Sequence, residues 1–399
     1  MKNLEKQKIL FLVIVVLFWF AQYVYIPFQN PYLTMRNVSA NMIGTIVGAY
    51  GIAQCLLRLP VGVFADSVQK HKCFILFGAL FAGFASCIRL FMPSGLGFLI
   101  ANVFSGIASS MWISFMVHYT GYFSCENQQK ATSTVILVNN LGMLLGFIVS
   151  TLFYDKLGMK FLCITSAIAG IVGSILALSL KDHEYKNPMK LSIGKCLSIC
   201  KNKPLIFFSC LALIQQGIQM STTMCFTTQI LKDLGAASFV IGLSSILYMT
   251  SAVISAGFAS SKFCIKYGAK LWIPFVFALV GLYCILVPTV NSVSIIFILQ
   301  ILPGMSTGIL LSYLTSEAMK EVPVFQKSTA MGLFQAVYAI GMSVFPILTG
   351  KIEESISIQT GYFVLAGISV LGILASIIYY HFKQVNTVDS CILESKSRI

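Results

Sequence analysis

Charge is scarce in this sequence. Asp, Glu, Lys and Arg make up 10% of its 399 residues, whereas hydrophobic residues make up 57%. An ordinary soluble domain carries about 25% charged residues, so a chain this poor in charge could not cover the surface of a soluble globular protein. Apolar stretches recur along the whole chain instead. At about 20 apolar residues per crossing, they predict an all-α polytopic membrane protein with twelve transmembrane helices in two six-helix halves.

Acidic residues are scarcer still: 13 stand against 27 basic residues, for a formal net charge of +14. No basic and aromatic module accompanies this excess, so we do not expect a nucleic-acid partner. Of the 27 basic residues, 20 fall on the side of the two termini. The opposite side holds Arg36, Lys156, Lys160, Lys232 and Lys351. Since cytoplasmic loops carry the excess of Lys and Arg, we expect a multi-pass protein of the cytoplasmic membrane with both termini in the cytoplasm.

Motifs for cofactors and catalysis are missing as well. The 12 cysteines include no CxxC pair, which argues against a metal centre or a disulfide framework, and we expect neither a metal nor a cofactor. The chain has no GxxxxGK[ST] loop, which excludes an ATP-driven pump on this chain alone. A polytopic lipid-modifying membrane enzyme would need a catalytic cluster at the membrane interface, and no HExxH motif occurs.

The two halves of the chain repeat weakly. KATSTVILVNNLGMLLGF starts at Lys130 and KSTAMGLFQAVYAIGMSVFP at Lys327, and each opens a span after a loop. We predict an N-terminal half at 1–180, a cytoplasmic linker at 181–203, a C-terminal half at 204–381 and a cytoplasmic tail at 382–399. The predicted spans one to six lie at 9–29, 41–64, 73–92, 95–120, 131–153 and 160–180. Spans seven to twelve lie at 204–230, 238–260, 271–290, 292–315, 328–350 and 359–381.

A loop signature follows span two. LLRLPVGVFADSVQKHK, residues 56–72, contains Gly62, then Asp66 four residues later, then Lys70 and Lys72. This stretch resembles the loop signature of the major facilitator superfamily, in which a glycine, an aspartate and trailing basic residues follow in this order. GFASSKFCIKYGAK, residues 257–270, is similar to an eroded second copy. The span count, the linker and the repeat extend the resemblance over the whole chain, and it implies a secondary transporter.

The resemblance implies a gate at the cytoplasmic ends of the helices. Its residues would be Gly62, Asp66, Lys70, Lys72, Glu126, Gly257 and Lys262. Gly62 would let another helix approach closely. Asp66 would lie at the N-terminus of span eleven, where the helix dipole favours a carboxylate, and the lysines would pair with Glu126. A plain positively charged loop is the alternative.

Two positions depart from the superfamily pattern. Many proton-driven members carry an arginine in span four, four residues before a glycine, but here Asn102 precedes Gly106 at that distance. Many exporters carry GxxxGP in span five. Gly142 and Gly146 keep the GxxxG, which we expect to pack against a neighbouring helix, but Phe147 replaces the proline. These departures weaken the case for a proton-coupled exporter.

The resemblance also implies a central cavity between the halves, near the bilayer midplane. Polar and aromatic residues at helical spacing mark the candidate faces. They are Trp19, Gln22, Tyr23 and Asn30 on span one, Ser109, Trp112 and Tyr119 on span four, and Gln215, Gln219, Thr222 and Phe226 on span seven. Contacts between helices are the alternative, since Ser, Thr and Gln also bond across membrane helices.

Two arginines lie inside predicted spans. Arg58 belongs to an RLPVG stretch, which resembles the span-two segment of nitrate and nitrite porters, where the arginine contacts the anion. A charge inside a bilayer is costly, so Arg58 should face a partner or a wet cavity, either to bind an anion or to support the cytoplasmic gate. Arg89 lies three residues from the predicted end of span three, and we expect its side chain to reach the membrane surface.

These features favour a secondary active transporter that moves a small organic solute, neutral or anionic, by alternating access. A multidrug or metabolite efflux permease is one alternative, and a lipid-modifying enzyme is the alternative from another class. The expected partners are the small-molecule solute, the lipid bilayer and, if transport is coupled, an ion; we expect a monomer. The candidate cavity faces carry no Asp or Glu, so we do not expect a cation bound by a buried carboxylate.

Overall fold

The computed structural model describes residues 2–68, 70–123, 128–181, 201–259, 261–322 and 327–396. Within these residues the chain is helical, with short turns and no β-strand. The helices of the first half are Lys2–Tyr23, Ile26–Met35, Ala40–Val68, His71–Phe91, Gly95–Ser110, Trp112–Thr120 and Gln128–Ala177. Those of the second half are Lys203–Ser221, Thr227–Asp233, Ser238–Ala259, Lys262–Leu286, Val293–Leu299, Ile301–Met305, Leu311–Met319, Lys327–Ser355 and Ile358–Lys396, with π-helices at Thr222–Phe226 and Ser306–Leu310.

Eleven helical stretches of the described residues are long and apolar enough to cross a membrane. One of them, Thr134–Ala177, has 44 residues, about twice the length that a bilayer needs. It is interrupted at Gly158, whose φ of 69° is a conformation that strains other residues. The interruption divides this stretch into spans five and six. The predicted all-α fold with twelve transmembrane helices is therefore confirmed.

The predicted linker and tail border the described spans. Residues 182–200, most of the predicted linker, lie outside the described residues. The helix that contains span twelve, Ile358–Lys396, continues through most of the segment that we predicted as a tail at 382–399. The last span thus continues as one helix to Lys396, the end of the described residues.

Span five packs against span one through its GxxxG pair. A Cβ on Gly142 would lie 2.7 Å from the carbonyl oxygen of Val16, and one on Gly146 would lie 3.0 Å from the backbone nitrogen of Val24. Lipid tails are as apolar as the helices, so close approach at small residues replaces the hydrophobic effect as the force between membrane helices. A larger residue at either glycine would push the two spans apart.

Spans two and eleven bring the two halves together at one end of the bundle. The end that carries the chain termini is here called the termini end, and the opposite one the far end. Near the far end, a Cβ on Gly44 would overlap the carbonyl oxygen of Pro346, and one on Gly48 would lie 2.6 Å from that of Ser343. Between spans eight and five, a Cβ on Gly242 would overlap the side chain of Thr151.

Hydrogen bonds cross between the halves at the same end. Asn30 Nδ2 donates to the carbonyl oxygen of Cys225 at 2.8 Å, which joins spans one and seven. Lys232 Nζ donates to the carbonyl oxygen of Pro31 at 3.0 Å. These bonds and the contacts of Gly44, Gly48 and Gly242 are here called the far-end seam, and together they close the far end.

The termini end is packed less closely at its glycines. Apart from its own helix, the described atom nearest to a Cβ on Gly62 would be Ile113 Cδ1 of span four, at 3.7 Å, and a Cβ on Gly332 of span eleven would meet the same atom at 3.8 Å. A Cβ on Gly257 of span eight would meet no such described atom within 4 Å. Among the described residues, spans two and eleven therefore meet through backbone atoms at the far-end seam and through side chains at Gly62 and Gly332.

Candidate functional site

A small cavity lies between the two halves. Its walls are formed by Gln22, Tyr23, Tyr25, Ile26, Gln29, Val47, Tyr50, Asn102, Met220 and Met224. Spans one, two and four supply most of this lining, and two methionines of span seven complete it from the second half. Of the predicted cavity residues, Gln22 and Tyr23 are in the wall. A concave site with mostly apolar walls and a few polar groups suits a small organic ligand.

Gln22, Tyr50 and Ser109 form a hydrogen-bonded group in the first half, here called the first triad. The phenol oxygen of Tyr50 lies 2.8 Å from Ser109 Oγ. Gln22 Nε2 donates to the same Oγ at 3.2 Å and to the carbonyl oxygen of Ser105 at 3.0 Å. The triad connects spans one, two and four, and it satisfies polar groups that lipid could not satisfy.

The second half contains an equivalent group, Gln219, Tyr248 and Thr307, here called the second triad. Gln219 Nε2 donates to the phenol oxygen of Tyr248 at 2.6 Å, and that oxygen lies 2.9 Å from Thr307 Oγ1. Spans seven, eight and ten supply these side chains, as spans one, two and four supply the first triad. The two halves therefore contain similar hydrogen-bonded groups on corresponding spans.

The chain positions of the two triads also correspond. Tyr50 and Tyr248 each lie ten residues after the first residue of their helices. Ser109 and Thr307 each lie 14 residues after the first residue of the helix that opens their span. The sequence repeat of the two halves thus extends to individual hydrogen-bonding residues. Sequence reasoning missed both tyrosines and Thr307, although equal offsets within matched spans were a signal that could have found them.

The predicted stripe on span seven is split by a π-helix. Gln215 Nε2 donates to Gln219 Oε1 at 3.1 Å, so these two residues share a face. Thr222, the first π-helical residue, donates instead to the carbonyl oxygen of Ile218 at 2.7 Å, and Phe226 is buried in the apolar core. A π-helical turn holds an extra residue, which rotates the following side chains by about 100°. The stripe therefore does not continue along one face.

Three predicted cavity residues pack into the aromatic core of the first half. Trp19 lies edge-on to Trp112 with ring centroids 5.1 Å apart, and Tyr119 stacks on Phe11 at 5.2 Å. All four side chains are buried in one apolar cluster. Helical spacing cannot distinguish a cavity wall from such a core, because large rings are favoured in both places. Asn30, another predicted cavity residue, lies in the far-end seam.

Arg89 does not reach the membrane surface, as we expected it to. Its side chain is only 1% exposed. Nη2 donates to Asn102 Oδ1 at 2.7 Å and to Ser105 Oγ at 2.9 Å, and Nη1 donates to Ser86 Oγ at 3.3 Å. The ring of Tyr25 lies 3.9 Å from the guanidinium carbon. The expectation was wrong because neutral acceptors and an aromatic face solvate this charge inside the bundle.

The guanidinium of Arg89 therefore lies beside Asn102, where the superfamily pattern expects an arginine. The charge that span four lacks comes from span three. The amide of Asn102 is fixed on its other side, because its Nδ2 donates to the carbonyl oxygen of Ile46 at 2.8 Å. Since the two residues belong to different spans, no pattern within one helix could have revealed the pair.

Arg58 lies between spans two and eleven, toward the termini end. Its side chain is 5% exposed, its Nη1 donates to the carbonyl oxygen of Gln335 at 3.3 Å, and its guanidinium lies 5.1 Å from the ring of Tyr338. Among the described residues, Arg58 Nε and both amide atoms of the fully buried Gln54 have no hydrogen-bond partner. Such groups are costly to bury, so water or a ligand can stabilise them.

The predicted cytoplasmic gate is only partly described. The side chains of Asp66 and Lys262, and the whole of Glu126, lie outside the described residues. Lys70 is exposed, and Lys72 Nζ donates to the carbonyl oxygen of Leu178, at the end of span six, at 2.6 Å. A Cβ on Gly62 or Gly257 would meet no backbone atom of another described helix within 4 Å. The gate stays a prediction.

A Gly-x-Ser-x-Gly sequence, Gly304–Gly308, bears on the enzyme alternative. In α/β-hydrolases such a serine lies on a sharp strand-to-helix turn that exposes its hydroxyl. Here the stretch is helical within span ten, and Ser306 Oγ lies 3.4 Å from Gln215 Nε2. Both glycines pack closely against span eight. This geometry serves helix packing and does not present a nucleophile.

Comparison with known sequences finds similarity to membrane transporters. A sequence model of the Major Facilitator Superfamily matches residues 11–226 and 208–390 of this chain. An uncharacterized MFS-type transporter of Methanocaldococcus jannaschii is 26% identical over 337 residues, which cover 80% of this chain and 84% of that protein. The proton-coupled antiporter flippase LtaA of Staphylococcus saprophyticus is 23% identical over 405 residues, which cover 96% of each chain.

Solved structures share the fold. The nucleoside transporter NupG superposes with a TM-score of 0.72 at 18% identity, over 94% of this chain and 99% of that chain. A bacterial homologue of the human lysosomal transporter Spinster, in an inward-facing and unoccupied conformation, superposes with a TM-score of 0.75 at 13% identity. That match covers 94% of this chain and 96% of the Spinster homologue. At such identities the likeness concerns the fold alone.

Proposed function

Because the chain belongs to the Major Facilitator Superfamily, a family of multi-pass membrane transporters, we propose that it is a secondary active transporter. It carries a small organic solute, neutral or anionic, across the cytoplasmic membrane by alternating access. The solute binds in the cavity between the halves, and the surrounding partner is the lipid bilayer. The protein acts as a transporter and not as an enzyme.

The observation that carries this proposal is the unequal packing of spans two and eleven. Backbone contacts at Gly44 and Gly48 join spans two and eleven at the far end, whereas a Cβ on Gly62 or Gly332 at the termini end would meet only the side chain of Ile113 among the described atoms. Tight packing at one end and looser packing at the other is what alternating access requires of each of its end states. The matched triads support a site shared by the two halves, as expected for a repeat-built transporter.

The orientation follows from the loop charges. With 20 of the 27 basic residues on the side of the termini, that side is cytoplasmic. The looser glycine packing at the termini end then favours an inward-facing conformation, in which the far-end seam closes the extracellular side. In the outward-open state, the far-end seam opens and the gate at Asp66 closes the cytoplasmic side.

Arg58 belongs to this mechanism in one of two roles. Its guanidinium, with the unsatisfied amide of Gln54 beside it, supports contact with an anionic solute on its path from the termini end. Its bond to the carbonyl oxygen of Gln335 equally supports a role in joining spans two and eleven near the cytoplasmic gate. A multidrug or metabolite efflux permease would use the same cavity for export, so the direction of transport separates these alternatives.

Transport by purified protein in liposomes tests the proposal. We expect saturable counterflow of at least one labelled solute among uridine, uridine monophosphate, glycerol and glycerol 3-phosphate, with imposed proton and sodium gradients revealing any coupling ion. Liposomes without protein are the control. Turnover of lipid without flux of any solute would instead favour the membrane enzyme.

A reversible lock on the far-end seam tests alternating access directly. Asn30 Nδ2 lies 3.8 Å from Cys225 Sγ, so Asn30→Cys places a second thiol beside a native one. Oxidation should join spans one and seven and stop transport, and a reductant should restore it. Asn30→Ser, which removes the same amide but adds no thiol, is the matched control. Full transport with the disulfide formed would contradict alternating access.

A further inference from the structure

The charge of Arg89 is balanced by neutral groups only. In the part of the chain that the structure describes, its guanidinium contacts the amide oxygen of Asn102, the hydroxyls of Ser105 and Ser86, and the ring of Tyr25. None of these groups carries a negative charge. Dipoles can solvate a buried cation, but they do not cancel its net charge or its field.

The second half shows that the fold does not need a charge at this junction. Gln300 lies seven residues after the first residue of the helix that opens span ten, as Asn102 does in span four. The partner of Gln300 from span nine is a neutral phenol: Tyr283 OH donates to Gln300 Oε1 at 3.3 Å and lies 2.8 Å from Thr227 Oγ1. The same junction is thus held without a cation in the other half, so helix packing alone does not account for Arg89.

Arg89 lies directly behind the cavity wall. Tyr25 and Asn102 line the cavity, and both contact the guanidinium. A bound molecule is therefore separated from this charge by one side chain. Because little water lies between them, the attraction is far stronger than across bulk solvent. The lining contains no Asp or Glu that would offset it.

We propose that Arg89 makes the cavity select solutes with an anionic oxygen group, a carboxylate or a phosphate. It acts through Asn102 and Tyr25 and does not touch the solute. This inference rests on the proposed function in one respect, namely that the cavity is the transport site. Arg89 is then a specificity-determining residue. Because the corresponding junction in the second half is neutral, the positive charge acts on the solute from the first half only.

The sign of the field can be measured without a known substrate and without transport. Ile26 lines the cavity, so Ile26→Cys, in a chain whose 12 native cysteines are replaced, provides a thiol inside it. The purified protein is treated with two methanethiosulfonate reagents of similar size, the anionic sulfonatoethyl and the cationic trimethylammonioethyl compound. The ratio of the anionic to the cationic rate reports the local potential.

Arg89→Gln should lower this ratio by at least about tenfold. Loss of the positive charge slows the anionic reagent and speeds the cationic one, so both rates change the ratio in the same direction. Arg89→Lys keeps the charge and should keep most of the ratio. Asn102→Asp leaves Arg89 in place but adds a negative charge 2.7 Å from it, and should lower the ratio even if Arg89→Gln does not fold. Asn102→Ser is the neutral control, and Arg36→Gln, a charge loss at the exposed far end, is the control for net charge.

Solutes then identify the anionic group. Benzoate or glycerol 3-phosphate should slow modification of the Ile26→Cys thiol, and which of the two is stronger distinguishes a carboxylate from a phosphate. The neutral analogues benzamide and glycerol should not slow it. A ratio that is unchanged in both Arg89→Gln and Asn102→Asp would overturn the proposal, as would protection by the neutral analogues alone. If the protein transports no solute but the ratio of modification rates responds to Arg89 as expected, the result counts against the proposed function and not against charge selection.

Discussion

One methyl group at Gly44 should push the far-end seam apart. The Cβ of an alanine at this position would overlap the carbonyl oxygen of Pro346 and lie 3.3 Å from Gly350 Cα. Both atoms belong to the backbone, so rotation of a side chain cannot relieve the overlap. Spans two and eleven must separate, and Gly44→Ala therefore destabilises the state in which the far end is closed.

The size of the effect follows from the cost of overpacking. Forcing extra methyl groups into a well-packed contact costs about 1–3 kcal/mol. A free-energy change of about 1–3 kcal/mol shifts a two-state equilibrium by roughly 5- to 150-fold. The ratio of far-end-closed to far-end-open protein should fall by a factor in this range.

Cys225 provides a native reporter for this shift. It is fully buried in the far-end seam, where Asn30 bonds to its carbonyl oxygen. In intact cells, a membrane-impermeant maleimide should label Cys225 faster in Gly44→Ala than in the original chain, by a factor similar to the shift. Cys225→Ser identifies the labelled site. Gly257→Ala, where the added Cβ meets no atom within 4 Å, is the matched control at the termini end.

Two outcomes would refute this reasoning. Unchanged labelling in Gly44→Ala would mean that the contact with Pro346 does not hold the far end closed. An equal increase in Gly257→Ala would mean that alanine acts through general loosening of the bundle.

Three further predictions concern the cavity and the topology. Arg58→Lys should raise KM for an anionic solute roughly tenfold, because lysine cannot form the bidentate hydrogen bond of arginine, and Arg58→Gln should abolish transport of that solute. Equal losses for neutral and anionic solutes in the liposome assay would leave only the gate role for Arg58. Tyr50→Phe removes one buried phenol bond and Tyr248→Phe removes two, and each should raise KM by about 2- to 10-fold; an effect confined to one half would contradict a shared site. Finally, a thiol placed by Lys190→Cys, in a background without reactive cysteines, should resist an impermeant reagent added outside cells, since the 20 basic residues on that side predict a cytoplasmic linker.

The fold could be predicted from the sequence because a bilayer leaves few choices. Apolar length gives the spans, and hydrogen bonding in lipid requires them to be helices. Spans five and six, predicted at 131–153 and 160–180, are helical throughout and are divided at Gly158. The polar residues Asp155, Lys156 and Lys160 between the two apolar runs were the sequence signal for this division.

The candidate site was harder to predict because its bonds run between spans. Helical spacing selected Gln22 and Ser109 as cavity residues, and the structure places them in one hydrogen-bonded group, but it could not supply Tyr50, which bonds to Ser109 from another helix. The π-helix at Thr222–Phe226 changed the register in the middle of a stripe that looked regular. The position of Arg89 depended on acceptors in span four, whose distance along the chain says nothing about their distance in space.

The far-end seam joins spans two and eleven largely through backbone atoms. At Gly44 and Gly48, span two meets carbonyl oxygens of span eleven, and the side chain of Ile347 also lies against Gly48. Helices that meet mainly through backbone atoms can separate and rejoin with few changes of side-chain rotamer. The same close approach leaves no room for even the smallest side chain, so ease of separation and the requirement for glycine have the same origin.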